Sequence, residues 1–350
     1  MQIEPRIFKF LNKQKLVVFT CLFIITLVGI GVVFSTPIWD YNTEREDIYY
    51  IWLEGKRILS GENPYARILL GDMRDNDKYA TYFPLFYLLS ALTQLLGFKE
   101  YSAWVYLWRH VFLFFNLGIS YLIFYQFYNK MMLIFGFFAS FFWLLNRWTI
   151  HVTQIAHIDF VGLFFLLFSL AIFHKHKRLS FLLFGLSLSL KQIAIFLLPL
   201  YLIWTWQESE KNKLESTVKS LLLILIIPII TSLPFIIWNA EGFFKSIIFS
   251  ATRSPAGHLG VPSIDELIGL VIPEFVGIKA KLPMLLIMSL VFIGAIKRQI
   301  GIYTSVLLTM FVFVDFNSVL FRQYLCWVVP FIPLAIGDTM STNRQDYKTK

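Results

Sequence analysis

Charge is what this chain has least of. Asp, Glu, Lys and Arg make up 15% of its 350 residues, against about a quarter in a soluble domain. Hydrophobic residues make up 57% and aromatic ones 18%, and mean hydropathy is +0.66. An ordinary soluble domain is excluded. Cysteine is nearly missing too: Cys21 and Cys326 are the only two, and both fall inside apolar runs, which argues against a disulfide framework or a zinc site. No phosphate-cradling Gly loop, Gly-x-Ser-x-Gly or His-Glu-x-x-His occurs, which weighs against a nucleotide-driven pump or a standard hydrolase. No internal repeat and no low-complexity segment is evident.

What is present is a succession of continuous apolar runs. That pattern predicts an all-α polytopic membrane protein, whose backbone satisfies its hydrogen bonds within each helix. A membrane β-barrel would show short alternating segments instead. The net charge of +9 does not call for a nucleic-acid partner, because most Lys and Arg sit in short connections between apolar runs, where they orient a membrane protein. Arg6, Lys9, Lys13 and Lys15 precede a first span over residues 16–34, so the N-terminus is expected in the cytoplasm. With no convincing small-residue cleavage site, this span reads as retained.

Segment 82–97 is apolar but only 16 residues long, short of the roughly 20 that a crossing takes. If it does not cross, Lys130, Lys175, Lys177, Arg178, Lys211, Lys213, Lys219, Lys297 and Arg298 all fall on the cytoplasmic side. If it crosses, they all fall outside. The expectation is therefore ten spans in one domain over 1–350, with 82–97 interfacial or half-inserted. Both termini are then cytoplasmic in a multi-pass protein of the cell membrane, with two long outside loops, 37–102 and 239–282.

The stretch 37–84 is the longest polar interval. Thr43-Glu44-Arg45-Glu46 fits a capping box. The helix it opens would align Ile48, Ile51, Trp52, Gly55, Ile58 and Leu59 on one face, with Glu54 and Arg57 elsewhere, and would end at Ser60-Gly61. An amphipathic helix directly after a span is expected in the membrane plane. Asp47 falls in its first turn, where the helix dipole favours an ionised carboxylate; it is either a base held at the water–lipid boundary or simply a complement to the dipole. Asp40, beside Trp39, reads as a second carboxylate or an interface anchor. Asp72, Asp75 and Asp77 could mimic a metal-binding Asp-x-Asp, but no other ligand type is tied to them by spacing. They read as a solvated loop, so no cofactor is required and a divalent metal is not indicated.

Elsewhere, Lys191 is an ionisable group at membrane depth, which marks function unless it snorkels or pairs with Asp159. Arg253, among turn residues of the second long loop, could grip a phosphate or be a plain loop arginine, and His258 follows it. Arg322 and Tyr324 open the last span. His151, His157 and Asp159 gather at one outside helix end, where helix-end hydrogen bonding competes with a metal site.

Several of these segments carry a resemblance. Asp47-Ile48-Tyr49-Tyr50, Gly61-Glu62-Asn63-Pro64-Tyr65 and Tyr82-Phe83-Pro84-Leu85 resemble the first outside loop of the GT-C membrane glycosyltransferases. The likeness is to bacterial polyprenol-phosphate mannosyltransferases and the GPI mannosyltransferase I family. Gln154 to Asp159 resembles that family's span-opening segment. Leu188 to Gln192 followed by Pro199 resembles its Lys-containing hairpin, and Asn317 to Pro330, with Gln323, Tyr324 and Trp327, its aromatic-rich last conserved span. A single carboxylate, Asp47, matches the first-loop pattern where some members have a pair. The resemblance implies a GT-C-like fold and inverting transfer of one sugar, a mannose-like hexose, from a polyprenyl-phosphate donor to a hydroxyl of a glycan, lipid or protein acceptor. Asp47 is then the expected base, with Asp40 and Asp159 behind it, and Arg253, Lys191, Arg322 and His258 are the expected donor-phosphate ligands. The rival classes are a transporter or lipid flippase, whose ionisable residues would lie at mid-bilayer, and a non-catalytic assembly subunit.

Overall fold

The computed structural model describes residues 4–71, 79–252, 263–274, 279–317 and 320–346. Every regular element among them is helical. In chain order the α-helices are α1 (Glu4–Val33), α2 (Thr36–Trp39), α3 (Asp47–Leu59), α4 (Leu85–Leu95), α5 (Tyr101–Asn129), α6 (Leu133–Leu145), α7 (Arg147–Gln154), α8 (Asp159–Ile172) and α9 (Lys177–Leu190). After these come α10 (Leu198–Glu208), α11 (Lys213–Trp238), α12 (Ala240–Thr252), α13 (Ile264–Val271), α14 (Leu282–Ile296), α15 (Ile302–Phe316), α16 (Arg322–Leu325) and α17 (Phe331–Asp346).

Three helical stretches are long and apolar enough to cross a membrane: Lys15–Val33, Tyr101–Asn129 and Lys213–Trp238. A fourth candidate is α6 with α7, bent by 47°. The described helices therefore carry a membrane protein. Leu16, Phe19, Phe23, Leu27 and Ile30 form an exposed stripe along α1, at the i, i+3, i+7 spacing of one helix face. α11 bares Leu222, Ile226, Ile230, Leu233 and Ile237 in the same way. Pro228 and Pro234 lie inside α11. Thr231 follows the first of them, and its hydroxyl donates to the Ile227 and Pro228 carbonyls at 2.9 and 3.2 Å, back-bonding of the kind that bends a helix.

Between the helices, small and polar residues substitute for the apolar drive that lipid removes. The Ser169 hydroxyl in α8 lies 2.7 Å from the Tyr201 hydroxyl of α10 and donates to the Ser180 carbonyl of α9 at 2.7 Å. Trp143 of α6 donates its indole N–H to Asn116 Oδ1 of α5 at 2.7 Å. Gly185 lets α9 approach α11 so closely that a β-carbon there would sit 3.1 Å from the Ile224 carbonyl carbon.

The helix ends sort into two clusters. At one end Lys130 pairs with Asp338 at 2.9 Å, Lys177 with Glu208 at 2.9 Å, and Gln207 reaches the Ile296 carbonyl at 2.8 Å. At the other end Arg109 donates to the carbonyls of Ile38, Tyr41 and Gln154 at 3.2, 3.1 and 3.3 Å, which ties the turn after α1 to α5 and α7. Segments 37–71 and 79–97 cap this second end.

Two sequence expectations for the cap need correction. The capping box does not form: α3 begins at Asp47 behind Glu46 with no side-chain cap, and the Thr43 hydroxyl instead meets the Tyr101 hydroxyl at 2.5 Å. The α3 stripe also differs. Ile48, Ile51, Trp52 and Gly55 are buried as expected, but Glu54 is buried too, at 1% exposure, and Leu59 is 40% exposed. The reason is α4, which packs along α3; Gln94 donates to the Trp52 carbonyl at 2.9 Å. The buried face is thus a protein contact rather than a lipid contact, and it is rotated to take in Glu54. The helix ends as its sequence suggests. Gly61 has φ +76°, and the amides of Gly61 and Glu62 close on the carbonyls of Ile58 and Arg57 at 3.1 and 2.9 Å, a Schellman cap.

Candidate functional site

Segments far apart in the chain converge on Asp47. Its place at the first residue of α3 sets an ionised carboxylate against the positive helix end, and its side chain keeps 30% exposure. Two donors meet its Oδ2: the Tyr82 hydroxyl at 3.1 Å and His157 Nε2 at 3.2 Å. Burial pushes the Tyr82 phenol well above its ordinary pKa, and the Asp47 charge adds to this, so Tyr82 stays protonated and remains a donor.

Tyr82 is aimed by its backbone. Asn63 Oδ1 accepts from the Tyr65 amide at 2.9 Å in a side-chain turn, and the buried Tyr65 hydroxyl then donates to the Tyr82 carbonyl at 2.7 Å. The Tyr87 hydroxyl accepts from the Thr81 and Tyr82 amides at 3.2 and 3.3 Å. Gln192, next to Lys191, donates to the Thr81 carbonyl. The local motifs Asn63-Pro64-Tyr65 and Tyr82-Phe83-Pro84 therefore act together, one holding the other.

His157 is 1% exposed and lies between two carboxylates. Its Nδ1 lies against Asp159 Oδ2 while Nε2 faces Asp47. Burial and the nearby Lys191 ammonium oppose protonation, but Asp159 and Asp47 outweigh them and hold the imidazole pKa above its ordinary value. The turn that delivers His157 is strained: Ala156 takes φ +52°, a left-handed conformation costly for any residue with a β-carbon and one that collects at functional sites.

Asp159 is fully buried. Lys191 Nζ lies 3.2 Å from its Oδ1 and 3.3 Å from Oδ2, and the Trp327 indole N–H also donates to Oδ1. Lys191 itself is 2% exposed, as its place in a short hairpin suggests. It stands 4.7 and 5.7 Å from the ring centres of Tyr82 and Tyr324 and 3.5 Å from the Tyr82 hydroxyl. A buried ammonium gains from aromatic faces, and a buried carboxylate is tolerable only when paired and hydrogen-bonded. The result is one chain of groups, Asp47–His157–Asp159–Lys191, running from a half-exposed carboxylate to a dry ion pair.

Of the expected site residues, Asp47, Asp159, Lys191 and Tyr324 come together. Lys191 lies against Asp159, the pairing that its sequence position left open beside a phosphate-binding role. Asp40 is exposed at the end of α2 and lies on the Arg109 side. Arg322 is exposed beside α7, close enough to His151 that its charge adds to burial in lowering that imidazole's pKa. Arg253, His258, Asp72, Asp75 and Asp77 lie outside the described residues. The described residues hold no group of three or more His, Cys, Asp or Glu arranged for a metal. Sequence reasoning gave Tyr82 and Trp327 no chemical role, and His157 only that of a metal ligand or a helix-end hydrogen bond. The available signal was His157-Ile158-Asp159 at the mouth of a buried helix, two ionisable groups where α8 leaves water.

A second buried carboxylate stands apart from this chain. Glu54 Oε1 pairs with Arg57 at 2.6 Å and with Arg67 at 3.4 Å, while Oε2 has no hydrogen-bond partner. Burial raises its pKa to about 7 against the pull of the two guanidinium groups.

No known protein family, curated protein or solved structure matches this chain.

Proposed function

We propose that this protein is an inverting, GT-C-like membrane glycosyltransferase that moves one hexose from a polyprenyl-phosphate donor to an acceptor hydroxyl at the outer membrane face. The observation that carries the proposal is Asp47: a half-exposed carboxylate at a helix start, held by a phenol and by an imidazole backed by a second carboxylate. A base of this kind takes the acceptor O–H proton as the oxygen attacks the anomeric carbon. The bond from that carbon to the phosphate oxygen breaks, and the pair of electrons leaves with the lipid phosphate. Attack opposite the leaving group inverts the centre. Positioned proton transfer of this type is typically worth about 10²–10⁴-fold. His157, whose Nε2 lies 3.2 Å from Asp47 Oδ2, keeps Asp47 oriented, and the Asp159–Lys191 pair holds His157. Arg253 remains the proposed donor-phosphate ligand, since Lys191 is engaged by Asp159.

A donor with its lipid tail in the bilayer needs a site at membrane level, and the cap over α5, α7 and α8 supports that placement. The same reading takes α1, α5, α6, α8, α9, α10, α11, α14, α15 and α17 as ten crossings, with α3 and α4 as interfacial helices. Contacts grouping Lys130, Lys177, Glu208 and Asp338 at the end opposite Asp47 support alternating directions. That end faces the cytoplasm, where basic connections belong.

Transport is the second reading, favoured by the buried Lys191–Asp159 pair, because ionisable groups within a membrane domain mark ion and proton paths. Trp327 and His157 saturate Asp159, and Arg109 spends its donors on carbonyls, so neither charge offers an obvious relay. The test uses membranes containing the full chain and radiolabelled polyprenyl-phosphate mannose. Covalent transfer that falls by about 10²-fold or more in Asp47→Asn, with the variant folded, supports the enzyme. Wild-type transfer by Asp47→Asn removes Asp47 as the base.

A further inference from the structure

The far end of the bundle holds a cavity of about 650 Å³ between α9, α10 and α11. We propose that it binds the phosphate of an anionic membrane lipid. Lys177 and Arg178 open α9, Glu208 closes α10 with Lys211 just beyond it, and Ser216 and Lys219 lie in the first turns of α11. The cavity is remote from Asp47: Lys191 stands at the other end of α9, 14 residues away, or about 20 Å at the helical rise.

Four cations line it against one carboxylate, Glu208. That carboxylate is already used, by Lys177 at 2.9 Å and His174 at 2.6 Å, and Lys219 is paired with Glu215 at 2.5 Å. Arg178 and Lys211 make no ion pair among the described residues. Uncompensated guanidinium and ammonium groups in a concave site are what a phosphate oxygen set recognises. The N-termini of α9 and α11 add their partial positive charge.

Depth identifies the lipid as the source. Trp206, two residues before Glu208, is 46% exposed, while Leu214, Val218 and Leu222 run exposed along α11. A half-exposed tryptophan beside bare aliphatics marks headgroup level. Phe181, Leu222 and Leu223 give the cavity an apolar wall that suits the first methylenes of an acyl chain. Basic pockets between membrane helices bind acidic headgroups by this combination.

A neighbouring cavity of about 580 Å³ on the other side of α10 is a useful contrast. Its Arg298 donates to the Gln207 carbonyl at 3.2 Å, and its Lys213 stands 6.0 Å from the Trp206 ring centre, so both cations are engaged within the protein. The proposed site does not depend on the chemistry assigned to Asp47.

The test measures binding of fluorescent phosphatidylglycerol and phosphatidylcholine to the full chain in a neutral detergent, with glycerol phosphate as soluble competitor. Phosphatidylglycerol should bind wild type in preference to phosphatidylcholine. Arg178→Gln with Lys211→Gln should bind it roughly 30-fold more weakly, from about fivefold per charge removed at a membrane surface. Both side chains are exposed, so the fold should survive, and thermal unfolding of the variant checks it. Lys245→Gln, at the Asp47 end and 56% exposed, should leave binding unchanged. Equal binding of the two lipids, or unchanged affinity in the double variant, overturns the site. Displacement by glycerol phosphate at concentrations matching the lipid overturns the lipid as its source.

Discussion

Removing the Lys191 ammonium should destabilise the protein more than any exposed substitution. Asp159 is fully buried, with the Lys191 ammonium at 3.2 and 3.3 Å from its two oxygens. In Lys191→Met the carboxylate keeps the Trp327 and His157 donors but loses its main counter-charge. Breaking a buried pair on one side costs about 3–5 kcal/mol, because the remaining charge stays buried without its counter-charge. Asp159→Asn should cost a similar amount by stranding the ammonium among Tyr82 and Tyr324. The combined variant has no unpaired charge, so it should cost no more than either single one. The coupling is then about 3 kcal/mol, the top of the range seen for residues in contact. Unfolding in mixed micelles by rising SDS, followed by tryptophan fluorescence, gives the four free energies. Losses that add within about 0.5 kcal/mol would refute the pairing as the source of stability.

Other expectations concern separate parts of the molecule. His157→Gln removes the imidazole that orients Asp47 Oδ2 from 3.2 Å, so transfer should fall while the protein stays folded; an unchanged rate in a folded variant counts against the proposed link. Glu54 has a folded pKa of about 7, above its unfolded value of 4.5. Below pH 4.5 both states are protonated and there is no penalty. Between 4.5 and 7 the unfolded chain loses the proton first, so stability should fall as pH rises, by on the order of 3 kcal/mol, then level off. Glu54→Gln should flatten that window in a pH series of unfolding curves. Gly185→Ala pushes a β-carbon against the Ile224 backbone and should cost about 1–3 kcal/mol, read in the same SDS titration; a neutral result would mean α9 and α11 can separate freely.

Much of the architecture was legible because apolar runs and basic connections report directly on lipid and water. The place of Asp47 at a helix start was legible for a related reason: Ile48, Ile51, Trp52 and Gly55 mark the buried face of the helix that it opens. Lys191 stood out because a cation inside a short apolar hairpin is costly. What stayed hidden was pairing across long separations. Thr43 matched a local capping pattern, yet its hydroxyl prefers Tyr101, 58 residues on. Glu54 looked exposed from the α3 stripe because nothing local says that α4 will cover that side. Tyr82, His157 and Trp327 acquire roles only once three segments meet.

That meeting has a consequence for biosynthesis. Asp159 and Trp327 are 168 residues apart, a gap that translation at about 5–20 residues per second takes roughly 10–30 s to close. Throughout that interval α8 carries a carboxylate whose last donor does not yet exist. A chain truncated before Trp327 holds Asp159 under-satisfied in a setting where each missing donor is expensive. The Asp159–Lys191 pair can form early, but its carboxylate gains its full set of donors only once the segment carrying Trp327 has been made and packed.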